Sequence, residues 1–277
     1  LSTESHNAEN TGSANSVVET SNLAGAGDFL IVCEHASNYI PPAYNNLGLD
    51  ETVLKSHVAW DPGALAVAQA LSKALDAPLV EQKLSRLIYD CNRPPEAENA
   101  MPAQSEIFTI PGNSNLSQAD RDMRTNSVYV PFRSALTDCL DQLQARGQSP
   151  VVITVHSFTP VYKGVKRDVE IGFLHDRDDI FAKELIKTFA AETDKFVLRL
   201  NEPYGPADGV THTLTEHALP RNLRNVMLEI RNDLITDPES QQDMATVLAQ
   251  AILQAEKTLG KKKNHTAPTT KPIKTGN

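Results

Sequence analysis

Val151-Val152-Ile153-Thr154-Val155 is an unbroken run of five β-branched residues that stops at His156. Such side chains are stiff at χ1 and pack well on a pleated surface, so the run predicts a strand. It does not alternate with polar residues, which places the strand in the middle of a sheet covered on both faces. Phe29-Leu30-Ile31-Val32-Cys33 is a second such run and ends in Glu34-His35. Further strands are predicted over 79–82, 86–90, 169–174, 196–200 and 225–230. Helical spacing lies between them. Leu65, Ala68, Leu71 and Leu75 mark one face after Asp61-Pro62, a good N-cap followed by a good first helical residue. Phe132, Leu136, Leu140 and Leu143 mark a second helix, and 180–191 forms a third. Met244, Leu248, Ala251, Ile252, Ala255 and Leu259 share the face of a last helix, capped by Asp237-Pro238 and stopped at Gly260. Strands alternating with helices predict an α/β fold, a three-layer sandwich with a mostly parallel or mixed central sheet.

The 277 residues suit one large domain, placed at about 28–260. Residues 1–27 lack apolar periodicity and 261–277 mix Lys, Thr, Pro, Asn and Gly, so both ends are expected to be disordered. Residues 94–126 hold no strong pattern, and a loop that long is usually functional, a lid being one use. The longest apolar runs fall far short of the roughly 18–20 residues that span a bilayer, which argues against a membrane partner. No signal-peptide pattern is visible at 1–27. Three cysteines, Cys33, Cys91 and Cys139, form no CxxC pair, an odd set that suits a reducing, cytoplasmic setting. A net charge of −9 opposes attraction to nucleic-acid phosphates, so no nucleic acid is expected as partner. Nothing in the pattern sets an oligomeric state.

In sheets of this kind the active site forms outside the carboxyl ends of central strands. Four segments there carry polar groups: Glu34-His35, Asp90-Cys91-Asn92-Arg93, His156-Ser157, and Glu229 within 225–230. Two histidines on neighbouring strand ends could supply two positions of a catalytic zinc site, leaving a carboxylate and water for the others. Taken singly, either histidine fits a hydrogen-bonded structural role better than a ligand's. Glu229 lies inside the apolar strand Val226-Met227-Leu228-Glu229-Ile230-Arg231. Burial there would raise its pKa and suit a proton shuttle, and a structural pair with Arg231, two residues on and on the same face, is the competing explanation.

Taken in this order, the segments resemble the zinc carboxypeptidase and aspartoacylase superfamily, and more closely its N-formylglutamate amidohydrolase branch. Thr154-Val155-His156-Ser157-Phe158 is similar to the strand that supplies the second histidine ligand. Tyr89-Asp90-Cys91-Asn92-Arg93 is similar to the Asp-x-Asn-Arg substrate loop, and Leu228-Glu229-Ile230-Arg231 to the strand with the catalytic glutamate. Glu34-His35-Ala36-Ser37, the stretch from Ser85-Arg86 to Arg93-Pro94-Pro95, and His217 resemble further features of the branch. The resemblance implies a zinc-carboxypeptidase-like (phosphorylase/hydrolase-like) fold and one Zn2+ ion. It implies metal ligation by His35 and His156, catalysis by Glu229 and Arg93, and substrate contacts from Arg86, Asn92, Arg93, Ser157, His217 and Arg231.

The superfamily pattern His-x-x-Glu is broken here, because Asn38 stands where a carboxylate ligand is expected, and an amide ligates poorly. Asp61, in a segment that also resembles the branch, is the candidate third ligand, with His57 as alternative and helix capping as the competing role of Asp61. The activity implied is hydrolysis of an N-acyl amide on a small acidic amino acid, foremost N-formyl-L-glutamate to formate and glutamate. Two alternatives stand beside it. One is a deacylase or carboxypeptidase-like hydrolase for another N-acyl amino acid or peptide; the other is a non-catalytic binding module on the same fold.

Overall fold

The β-branched run at 151–155 extends into an eight-residue strand in which every position is buried, Val151–Phe158. In the computed structural model, which describes residues 16–263, it is central to a sheet of seven strands. In chain order these are β1 (Val18–Ser21), β2 (Phe29–Cys33), β3 (Leu79–Gln82), β4 (Val151–Phe158), β5 (Ile171–Leu174), β6 (Leu198–Leu200) and β7 (Asn225–Arg231). Their spatial order is β1-β3-β2-β4-β7-β5-β6. The centre, β3-β2-β4-β7, is parallel. The margins are not: β1 runs antiparallel to β3 and β5 antiparallel to β7, and β6 is parallel to β5.

Four long helices, α1 (Ala64–Ala74), α2 (Val130–Ala145), α3 (Ile180–Glu192) and α4 (Pro238–Lys263), complete the layers. Because side chains alternate along a strand, each central strand serves two cores. Ile31, Ile153, Val226 and Leu228 meet α1, α3 and α4 through Leu71, Leu185 and Ile252. Leu30, Val32, Val152 and Met227 meet α2 through Phe132, Leu136 and Leu140, together with Leu87, Ile88 and Tyr89 from the following loop. The result is the expected three-layer α/β sandwich, with a mixed sheet whose centre is parallel.

Several local expectations change. Val18–Ser21 is a strand inside the segment 1–27 that the pattern left unstructured. Four half-buried residues are too few for a period to show, and the ladder with β3 supplies the order. Residues 1–15 and 264–277, also expected to be disordered, lie outside the described residues. Residues 86–90 form a turn rather than a strand. Their apolar side chains are buried, but Asn113 Nδ2 and Arg124 Nη1 donate to the carbonyls of Leu87 and Ile88, at 2.8 and 3.3 Å, in place of a ladder. The N-cap of α1 is Gly63 rather than Asp61, and α4 continues through Gly260 to Lys263.

Candidate active site

Because β2 and β4 are parallel neighbours in register, their carboxyl ends deliver Glu34-His35 and His156-Ser157 side by side. The loop before α1 is fastened to both. The Asp61 N–H donates to the His35 carbonyl at 3.0 Å, and the Ser157 hydroxyl donates to the Pro62 carbonyl at 2.8 Å. Gly63 makes this approach possible: its φ is +80°, and a Cβ there would lie 2.5 Å from the Ile235 carbonyl oxygen. The side chain of Asp61, released from capping, turns to the histidines.

His35 Nδ1, His156 Nδ1 and Asp61 Oδ2 then form a buried triangle with sides of 3.1, 2.9 and 3.2 Å. Tetrahedral zinc with ligand bonds of roughly 2.0–2.2 Å needs edges of about 3.3 Å, so the donor set fits one such ion with a fourth position open. Behind the triangle stand two more carboxylates. His35 Nε2 meets Asp90 Oδ1 at 2.7 Å. His156 Nε2 lies 3.1 Å from Glu34 Oε2, at ion-pair distance without hydrogen-bond geometry. Carboxylates behind imidazoles favour the proton on Nε2 and aim the Nδ1 lone pairs inward. With Nε2 protonated and Nδ1 bare, the three acceptors would face one another at about 3 Å, and protons on Nδ1 or a metal cation between them would balance the set.

The charges agree. Arg86 Nη2 donates to Asp90 Oδ2 at 2.6 Å and Nη1 reaches Asp61 Oδ1 at 3.5 Å, so one guanidinium faces the carboxylates of Asp61 and Asp90. Burial alone would raise the Asp61 carboxyl, but the two imidazoles hold it far below the usual range. Asp90 is likewise held well down against its burial, by Arg86 and then His35. Burial would lower His156, yet Glu34 and Asp61 raise it well above an ordinary imidazole. The pocket is built to hold positive charge.

Glu229 enters from β7, directly opposite His156 in the ladder. It is buried, and its Oε2 has no hydrogen-bond partner. Burial pushes its pKa up to about 7; the His156 charge opposes this and the Asp61 charge adds to it. His35, Asp61, Arg86, Asp90, His156 and Glu229 open onto a cavity of about 480 Å³. Ser105 and Glu106 bring the segment 94–126 to the cavity wall, and that segment is not patternless. Gln104–Ser105 and Phe108–Thr109 pair as a small hairpin, Gln118–Arg124 is a helix, and buried Arg124 donates to Asn113 Oδ1 at 2.6 Å. At the hairpin tip the Glu106 carboxylate meets His57 Nε2 at 2.8 Å and accepts from the Lys163 N–H at 3.0 Å.

Of the residues expected at the site, His35, Asp61, Arg86, Asn92, Arg93, His156, Ser157 and Glu229 all line the cavity. The Asn92 amide is engaged with backbone, donating to the Val210 carbonyl and accepting from the Thr213 N–H. His217 and Arg231 are not brought there. His217 is buried in the turn 214–218, where desolvation pushes its pKa down to about 4. Arg231 pairs with Glu170 and Asp233 at 3.0 and 2.8 Å. The alternative ligands are placed elsewhere, Asn38 on the Leu54 carbonyl and His57 on Glu106. Sequence reasoning gave Glu34 and Asp90 no role, and it passed over Arg167 and Tyr204, which line the cavity from loops.

The fold and site fit a hydrolase acting on an amide, and the family match shows that class. The family model for N-formylglutamate amidohydrolase matches residues 27–236, and the chain belongs to that family. A crystal structure of gene product Atu2144 from Agrobacterium tumefaciens is 51% identical over 88% of this chain and 96% of that one, with a TM-score of 0.86. N-formylglutamate amidohydrolase from Ralstonia eutropha shares the fold at 17% identity, covering 89% and 99% of the two chains with a TM-score of 0.56. No curated protein matches.

Proposed function

We propose that this chain is a zinc-dependent amidohydrolase that removes the N-acyl group from a small acidic amino acid, with N-formyl-L-glutamate as leading substrate. The observation that carries the reading is the buried triangle of two Nδ1 atoms and one carboxylate oxygen beside a carboxyl group with raised pKa. A zinc ion held by His35, Asp61 and His156 would polarise the acyl carbonyl and acidify water at the open position. Glu229 is the proton carrier. Its unpartnered Oε2 faces the same space, and a pKa near neutrality lets it accept a proton from water and return it to the departing nitrogen. Arg93, with one Nη1 bond to the Asp208 carbonyl at 2.9 Å, keeps donors free for the developing oxyanion or the adjacent carboxylate. Arg86 positions Asp90 and Asp61, and Ser157 and Asn92 hold the loops that frame the cavity.

The Glu229→Gln variant tests the reading, because it keeps shape and removes the base. With zinc content unchanged, hydrolysis of N-formylglutamate, followed by glutamate release, is expected to fall by roughly 10²–10⁴-fold. A wild-type protein with bound zinc that leaves N-formylglutamate intact would remove this substrate. A cavity of about 480 Å³ also has room for larger acyl groups, so acetyl- and succinyl-glutamate belong in the same assay. Faster turnover of either would favour the broader deacylase.

A further inference from the structure

Among the arginines around the cavity, Arg167 stands apart. Arg86 lies against Asp90 and Asp61, whereas Arg167 has no carboxylate at ion-pair distance among the described residues. It is nevertheless held firmly. Its guanidinium carbon lies 4.6 Å from the ring centre of Tyr162, 4.8 Å from Tyr204 and 5.4 Å from buried Phe158. Nη2 donates to the Tyr204 hydroxyl at 2.9 Å and Nη1 to the Thr159 carbonyl at 3.3 Å. A guanidinium has five N–H donors, so three remain for a ligand. The rings keep water from its faces and leave its edge open, and Arg167 and all three rings line the cavity. A planar cation presented by its edge in a low-dielectric wall matches a carboxylate, which it can grip with two parallel bonds.

Position says which carboxylate. Arg93 follows Asp90, the partner of His35, by three residues, so it belongs to the end of the cavity where the amide is cleaved. No hydrogen bond joins Arg167 or its rings to His35, Asp61 or His156 among the described residues. The α-carboxylate of an N-acyl amino acid is two bonds from the scissile nitrogen, while a side-chain carboxylate is farther out. Tyr204 spans the two regions. Burial, with Glu229 adding, pushes its phenol up to about 12, so it stays protonated; its oxygen accepts from Arg167 and its own proton is free for the substrate.

We propose that Arg167 is a specificity-determining residue of this site, binding the substrate carboxylate remote from the scissile amide and so selecting N-acyl amino acids with an acidic side chain. This rests on the amidohydrolase reading above. The test uses the full chain loaded with zinc and compares kcat/KM for N-formylglutamate and N-formylglutamine in the wild type, Arg167→Met and Arg167→Lys. Methionine keeps the packing between the rings and removes the charge. Arg167→Met is expected to lower the value for N-formylglutamate by roughly 10- to 100-fold and that for N-formylglutamine, whose carboxamide is neutral, by several-fold at most, with Arg167→Lys recovering only part. Equal loss on both substrates, or no loss, overturns the assignment.

Tyr204→Phe keeps the ring and the fold and removes the oxygen that orients Nη2. It is expected to raise KM for N-formylglutamate by a larger factor than for N-formylglutamine, and an equal rise on both overturns the assignment, which keeps the test decisive if Arg167→Met does not fold. If the wild type hydrolyses neither substrate, the substrate reading fails by itself, and calorimetry with glutarate and butyrate tests Arg167 separately. Loss of glutarate affinity with butyrate unchanged sustains the assignment; glutarate bound equally by wild type and variant overturns it.

Discussion

The His156 imidazole is held between Asp61 on one nitrogen and Glu34 on the other, with Thr213 also against the Glu34 carboxylate. Glu34 is fully buried behind His156, and if His156 ligates zinc as proposed, Glu34 would orient that imidazole toward the ion. Glu34→Gln is therefore expected to weaken zinc binding by roughly 10- to 100-fold, read by competition with a chelator. Affinity equal to the wild type would return Glu34 to a packing role. His35, His156 and Glu229 were legible as residue types because each is a polar group ending or interrupting an apolar strand. Asp61 was legible by resemblance to a family segment, and capping competed with it until Gly63 was seen to start α1. Arg167 was not legible. Its setting comes from positions 158, 162 and 204, three places whose proximity only the chain path creates.

At the scale of elements, α1 brings Asp61 to the histidines through one residue. Gly63 has a left-handed backbone, and an added Cβ would meet both the Ile235 carbonyl and its side chain within 3 Å. Gly63→Ala must shift the loop, at a cost of about 1–3 kcal/mol measured by chemical denaturation. The Asp61 carboxylate moves with it, so zinc affinity should fall in the same variant; a stable variant that binds zinc normally would show the loop to be less constrained. The strands read best where both faces are apolar, as in β2, β4 and β7. The segment 86–90 has a similar composition and forms no strand, because Asn113 and Arg124 from a distant loop take its carbonyls. Periodicity reports burial, and burial without a ladder partner reads the same. β1 is the reverse case, a ladder with too little burial to be visible.

Across the whole molecule, the parallel centre β3-β2-β4-β7 followed from alternating strands and helices, while the antiparallel margins did not. Local patterns do not encode which neighbour a strand joins. The parallel centre has an energetic consequence, since it concentrates two imidazoles, three carboxylates and Glu229 at one end of the core, and folding must bury them together. In the metal-free protein, made by dialysis against a chelator, His35 and His156 have folded pKa values above their unfolded value of about 6.5. Their contribution is complete below that pH and is lost as pH rises through the raised values. Asp61 and Asp90 are depressed, so theirs is present above about 3.9 and lost only as pH falls through the depressed values. The melting temperature of the metal-free protein should thus decline on the alkaline side. Zinc bound at the proposed ligands would replace the protons at Nδ1, and its binding would strengthen as they leave. The rise in Tm on adding zinc should therefore grow between about pH 6 and pH 8. A zinc-induced shift that is constant over that range would mean that the imidazoles do not exchange protons for metal, and the ligand set would have to be sought elsewhere.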